Sequence, residues 1–466
     1  MIRIVVLTAV GWMMMIPSSS SFSLTVLPWM IRTSFHQPAK YHSSALFVVA
    51  TTSKEKPSND NHLPPGRPTN RFLSLFFDDS IRLLNPKDMK LLKRKEQYGP
   101  IFKTNIFFRP TVFMTDIESI QELGKQEPTK SMNAYFPPHH QKLFGEQSIL
   151  VQSGETHRRL RGLIQRALTP NIVSYCQPIL ETSISNFVAQ VADESKVNGY
   201  VTIVPKLRSF FISIMLQVVL GTTDVSPKLA KDVEIWSRGL LAPPLTFIPW
   251  STAGKAMRAR RRVATQILSL MQLPSSGLLK QLMDARDEDG KALSHDEIVD
   301  NIFTIIFAGS DTTAAAVTSM WMTLALDPQL SQDLIYNEEK QERFVTQVLE
   351  AMPPGPFSFR ELTEDVTIGS YTIPSNWLVV YGYAAALEEK PYPTTKTLAS
   401  SPKDGATIVF GTGPRRCPGR FLASLELDVF ARELVKYKWE LDSAQNLVQR
   451  YTPGFFPVDG LRLKAR

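Results

Sequence analysis

Cysteine is the scarcest reactive residue in this 466-residue chain, which has only two, Cys176 and Cys417. Two cysteines exclude a disulfide-stapled scaffold and a multi-cysteine zinc site, and no His-Glu-x-x-His or Cys-x-x-Cys spacing supplies other metal ligands. Acidic residues are missing from positions 1–54, which hold Arg3, Arg32, Lys40 and Lys54 and so carry four of the eight net positive charges. Beyond them, 48 basic residues (52 minus 4) face 44 acidic ones. That excess is too small and too dispersed for a nucleic-acid partner, which needs clustered cations. There is no internal repeat, and the apolar run from Ile4 to Ile16 is shorter than the roughly 20 residues of a membrane-spanning helix.

What is there begins with a leader. Arg3, the run Ile4 to Ile16 and the PSSSSFS that follows have the composition of a secretory signal, and Ser18 to Lys54 has the acid-poor, Ser/Thr-rich composition of a transit peptide. This predicts a leader at 1–23, a transit-like segment and polar linker at 24–62, and a main domain at 63–466. The destination is either a plastid, reached in two steps, or the endoplasmic reticulum membrane with Leu24 to Ile31 helping to anchor. In the main domain apolar residues recur every three or four positions, as in Phe344, Val345, Val348, Leu349 and Met352, while PTVFMTD and GSYTIPSNWLVVY read as strands. The fold class predicted is mainly α with a small β part, in one large domain. Arg258, Arg260, Arg261 and Arg262 read as a solvated helix face.

Ser294 to Glu297 has capping-box spacing, and Ile298, Ile302, Ile305 and Ile306 continue a helix that should cross the core. AGSDTT, Ala308 to Thr313, interrupts it. A mid-helix Gly costs about 1 kcal/mol, and a buried Asp311 costs more unless paired. The Thr312 hydroxyl lies over the carbonyl of Ala308, an arrangement that opens or bends helices. An opened turn beside Asp311 and Thr312 would hold a small polar molecule and relay protons to it; an ordinary kinked core helix is the alternative.

Cys417 stands in FGTGPRRCPG. Pro418 suits a first helical position, and Phe421, Leu422, Leu425, Val429, Phe430 and Leu434 mark the helix behind it, so the helix N-terminus should favour a thiolate. Gly411, Gly413 and Gly419 allow close backbone approach, and Arg415 and Arg416 suit carboxylates. A nucleophilic Cys would need a base that the sequence does not place. A thiolate under a metal ion needs none. Glycines, arginine and a lone thiolate fit a flat, carboxylate-bearing iron cofactor, heme.

With these residues assembled, the chain from about Leu63 onward resembles the cytochrome P-450 family. Phe410, Gly413, Arg415, Cys417 and Gly419 match its heme-binding signature, and AGSDTT matches its oxygen-activating helix. The resemblance implies Cys417 as iron ligand, Asp311 and Thr312 as proton-delivering residues and Ala308 against the heme. GETHRRLR resembles the helix whose Trp-x-x-x-Arg motif contacts the propionates; His157 replaces the Trp and Arg161 is kept. Arg360, in PFSFRE, matches another basic residue that reaches a propionate. The implied activity is a monooxygenase using dioxygen and electrons from a ferredoxin or flavoprotein reductase. The branch resembled is that of retinoic-acid hydroxylases, plant steroid hydroxylases and cyanobacterial relatives, and it implies a small hydrophobic, isoprenoid-type substrate. Phe307, Phe357 and Phe359 would border the pocket, and LLAPPLTFIPW would form an apolar access lip or a membrane contact.

The chain also departs from the family. Glu350 begins the family's Glu-x-x-Arg, yet Pro353 occupies the arginine position. The second family arginine, due between Pro393 and Gly405, has only Lys396 and Lys403 in its place. Stranding one member of a buried ion pair costs about 3–5 kcal/mol, so Glu350 should be solvated, protonated or paired anew. The losses predict a weakened heme pocket. They leave a heme-thiolate isomerase or dehydratase, and a non-catalytic heme-binding relative, as alternatives to the monooxygenase.

Overall fold

The structure, a computed structural model, describes residues 3–7, 12–16, 62–69, 78–84, 91–127, 132–168, 170–222, 224–273, 276–388, 393–394, 397, 408–451 and 454–466. The transit-like segment, Lys396 and Lys403 lie outside the described residues. Of the leader, Arg3–Leu7 and Trp12–Ile16 pair as antiparallel strands. The rest is mainly α with a small β part, as expected.

A five-stranded sheet flanks the site. Its strands are β1 (Ile101–Ile106), β2 (Arg109–Met114), β3 (Met132–Ala134), β4 (Ser358–Leu362) and β5 (Leu378–Tyr381), in the order β1-β2-β5-β4-β3. Only β2 and β5 run parallel. Arg360 on β4 lies between Val379 of β5 and Ala134 of β3, so its backbone is held from both sides.

The helices that build the site are α1 (Ile117–Gln126), α2 (Gly154–Ala167), α3 (Pro170–Asn198), α4 (Ile203–Leu220), α5 (Pro227–Gly239), α6 (Thr252–Leu270), α7 (His295–Leu326), α8 (Glu338–Ala351) and α9 (Arg420–Leu434). The capping box at the start of α7 is complete: Ser294 Oγ accepts from the Glu297 N–H, and the Glu297 carboxylate accepts from the Ser294 N–H. This satisfies two of the donors that a helix start leaves over. Most of α7 is buried, because α4 and α9 pack along its flanks. The expected opened turn is absent; the helix is unbroken from His295 to Leu326. Thr312 donates its hydroxyl to the Ala308 carbonyl without disturbing the helical ladder. Gly309 also finds its reason in packing, since a Cβ there would meet the Met215 sulfur of α4 at 2.6 Å.

One further expectation changes and another holds. Arg260 and Arg262 are not part of a merely solvated face. Arg260 reaches Asp300 of α7 and the Leu143 carbonyl, and Arg262 grips Asp232 of α5 through both nitrogens. Pairing to a buried acid turns Arg260 inward, whereas Arg262 stays exposed and holds Asp232 from the surface. Helix α8 buries Phe344, Val345, Val348 and Leu349 and stops at Ala351, before Pro353, as the proline requires.

Where α7 meets α9, Glu426 is 1% exposed and accepts from the Thr313 hydroxyl at 3.3 Å. Burial pushes its carboxyl up to about 8, against a smaller lowering by Thr313. An acid whose folded value exceeds its unfolded value takes up a proton on folding, so its neutral form favours the native state. Its contribution is intact below about pH 4.5 and is lost as pH rises toward 8. Glu426→Gln keeps the shape without the charge. Denaturant midpoints compared across this window should show the variant gaining on the parent as pH rises, by several kcal/mol in all, because each tenfold change in proton affinity is worth about 1.4 kcal/mol. A difference that stays constant with pH would refute the assignment.

Candidate active site

The cysteine loop is built from two short 3-10 turns, Ile408–Phe410 and Gly413–Arg415. It closes on itself through the Cys417 N–H, which donates to the Phe410 carbonyl at 2.7 Å. Gly413 has φ +62°, and a Cβ on it would lie 2.5 Å from the carbonyl oxygen of Gly124 in α1. Its role is therefore to let the loop lie flat on α1. Of the loop's glycines, Gly419 alone has open space where a side chain would go, with nothing within 4 Å.

Helix α9 begins at Arg420, not at Pro418 as the sequence suggests. Cys417 is half-buried, and its sulfur accepts the Gly419 N–H. Burial pushes the thiol up; Gly419, Arg161, Arg420 and Arg416 pull it down, and burial prevails. The backbone N–H acts in the expected direction, toward the thiolate, and burial opposes it more strongly.

Around the loop, α2 supplies Arg161, one of the cations that lower the thiol, and His157, buried and pushed down to about 3 by burial and then by Arg415, Arg161 and Arg360. His157 is therefore neutral at pH 7. Arg360 is 5% exposed and lies 4.9 Å over the Tyr381 ring. Its Nε donates to Glu127 at 3.1 Å, and Arg415 Nε binds the same carboxylate oxygen. Arg415 spends its other nitrogens on the Ile149 and Gln152 carbonyls and the Ser153 hydroxyl. Burial and Arg360 hold it down to about 10, leaving it cationic. A cavity of about 320 Å³ opens here, lined by Glu127, His157, Arg158, Arg161, Arg415 and Arg420 among others.

On α7, Ala308 is exposed and Thr312 half-exposed, with Ile305 and Gly309 partly exposed beside them, so one strip of a mostly buried helix is accessible. Asp311 points elsewhere, toward α4, where Arg208 Nε lies 3.2 Å from its carboxylate and stacks on Phe456 at 4.3 Å. Burial raises Asp311 to about 6 despite Arg208. Phe307 packs on Phe144 at 5.2 Å, whereas Phe357 joins Phe359 at 5.3 Å and Tyr451 at 5.2 Å. Glu350 is half-buried at the end of α8. It makes no ion pair among the described residues, and Lys396 and Lys403 lie outside them.

A sulfur in a closed loop, a cationic cavity beside it and an accessible strip on a buried helix suit a flat cofactor with an iron centre and acidic side groups. The comparisons agree. The cytochrome P450 family model matches residues 64–457. The chain is 28% identical to "Putative cytochrome P450 120" of Synechocystis sp., over 88% of this chain and 98% of that one. It is 25% identical to abscisic acid 8'-hydroxylase 4 of Arabidopsis thaliana, over 89% and 95%. Among solved structures, retinoic acid bound cyanobacterial CYP120A1 superposes with TM-score 0.74 at 26% identity, covering 83% of this chain and 96% of that one. The chain belongs to the cytochrome P450 family. It is a monooxygenase of that family, and its cofactor is thiolate-ligated heme.

Glu127 and Arg208 were missed in the sequence. Arg208, a charge at the start of the apolar run FFISIML, carried a signal; Glu127 carried none. Gly413→Ala should put strain on both the left-handed backbone and the contact with Gly124, lowering stability by about 1–3 kcal/mol and heme content with it. Urea midpoints and the heme-to-protein ratio check this, and a variant equal to the parent in both would show that the loop does not lie as described.

Proposed function

We propose that this protein hydroxylates a hydrophobic, isoprenoid-derived substrate with dioxygen and electrons from an external donor, with Cys417 as the residue that would give the heme iron its thiolate. The observation that carries the reading is the accessible strip Ala308–Thr312 on an otherwise buried α7. Bound heme supplies the oxygen-activating chemistry. The chain supplies the rest. Cys417 gives the sulfur, and Arg161, Arg360 and Arg415 give positive charge for the propionates. Thr312 places a hydroxyl on the accessible strip. Asp311, near neutrality in its proton affinity, exchanges protons at physiological pH from the other face.

The substrate class is supported by relatives whose names specify abscisic acid and retinoic acid, both isoprenoid-derived. The aromatic stripe of Phe107, Phe359, Phe357 and Tyr451 supports it too, because flat rings in series suit a long unsaturated hydrocarbon. Arg416 is exposed beside Cys417, and Arg420 stacks at 4.2 Å on Phe421, itself 50% exposed. An acidic electron donor, ferredoxin or flavoprotein reductase, would be steered there. Leu241, Phe247 and Trp250 are exposed on the loop between α5 and α6, with Arg258 and Arg261 close behind, which fits a membrane surface at a plastid or the endoplasmic reticulum.

Titrating the purified protein with retinoic acid, abscisic acid and sterols should displace the iron-bound water and shift the heme spectrum for at least one of them. No shift with any isoprenoid, or turnover without reductant, would overturn the reading. Thr312→Ala should leave the spectral shift in place and lower product formed per electron consumed by about tenfold or more.

A further inference from the structure

We infer that Glu127 is the positioning residue of the heme site: its carboxylate fixes Arg360 and Arg415 and offsets part of the positive charge that would face the propionates. Nothing in the sequence singles it out. It caps the C-terminal end of α1, where the helix dipole disfavours an anion. It is nonetheless 7% exposed, so something holds it there.

One oxygen of Glu127 receives both arginines, and the three side chains are 4%, 6% and 12% exposed for Glu127, Arg360 and Arg415. The other oxygen is buried with no hydrogen-bond partner among the described residues, and Glu127 lines the cationic cavity. The carboxylate joins by charge three elements that otherwise share only an apolar cluster (Ile120, Leu123, Leu362, Ile408) and backbone contacts: α1, strand β4 through Arg360, and the cysteine loop through Arg415. Arg415 carries the link on to the carbonyls of residues 149 and 152. The family's own link at α8 is absent, with Pro353 at the arginine position and Glu350 half-buried at the helix end. There α8 is tied instead through Gln347, whose amide donates to the Thr397 carbonyl at 3.2 Å.

The charges count in the same direction. Arg158, Arg161, Arg415, Arg416 and Arg420 line the cavity, Glu127 is the one acid in that lining, and His157 adds no charge because it is held near 3. Of the arginines, Glu127 pairs with Arg415, and it also pairs with Arg360 behind the cavity. Without Glu127 these two keep an uncompensated charge and repel each other. If Glu127 instead occupied a propionate's place, removing it would help the cofactor bind.

The test uses the full chain. Apo-protein is titrated with hemin, and the reduced carbon-monoxide spectrum of the loaded protein is recorded. Glu127→Gln should weaken hemin binding by about 10–100-fold, as for other residues that orient a metal site from behind, and should move the spectrum from the thiolate form toward the thiol-protonated form. Glu127→Asp should recover part of both. The double variant Glu127→Gln with Arg360→Gln restores the charge count and should bind hemin more tightly than Glu127→Gln alone, a rescue that a purely mechanical strut would not give. If Glu127→Gln does not fold, Glu127→Asp against the double variant carries the comparison: a double variant that binds hemin while Glu127→Asp keeps the thiolate form supports the assignment. Unchanged or tighter binding by Glu127→Gln, or a double variant no better than the single or unable to bind hemin, overturns it.

Discussion

A sulfur that must be an anion inside a protein is opposed by burial, and the rest of this structure is arranged around that opposition. Cys417 is held by the Phe410 carbonyl at its own N–H and by the Gly419 N–H at its sulfur, yet burial still leaves the thiol above its ordinary value. Backbone donors and nearby arginines are not enough. A metal ion facing the sulfur reverses the balance, because its charge deprotonates a ligating thiol outright. The loop therefore has to be rigid before it is reactive, and its rigidity comes from contacts made elsewhere: Gly413 lying on Gly124, and Arg415 spread over Glu127, Ser153 and two carbonyls.

What could be read in the sequence was local. The Ser294–Glu297 box, the back-bond of Thr312 to Ala308, the strands in PTVFMTD and WLVVY, and the stop of α8 before Pro353 all depend on residues within a few positions of each other. The start of α9 was placed two residues early because Pro418 is an equally good turn residue, and local preference does not separate the two. The site needed pairings over long separations. Glu127 meets Arg360 across 233 positions and Arg415 across 288. Arg208 and Asp311 come together only because α4 packs along α7. Periodicity marks which face of a helix is buried; it does not say which buried charge it will meet.

The missing arginines after Glu350 have the same origin. A family pattern is a set of solutions to a constraint, here that the cysteine loop be tied to the sheet and the neighbouring helices by charged groups. Glu350 near a helix end can be solvated, so losing its partners need not leave a stranded buried charge. The buried requirement lies one layer inward, at Arg360 and Arg415. Two guanidiniums side by side out of water demand an acid, and the chain meets the demand from α1.

Helix α7 shows how one element serves two incompatible needs. On the proposed reading, the strip with Ala308 and Thr312 would have to stay open and apolar enough to admit oxygen and substrate. Asp311 must remain ionisable, which an apolar cavity would prevent. A helix separates the two at no extra length, because adjacent residues point about 100° apart. Asp311 turns to Arg208, whose charge partly offsets burial and leaves the carboxyl at about 6. On the proposed reading, the proton supply lies behind the helix and the face in front is left to oxygen and substrate.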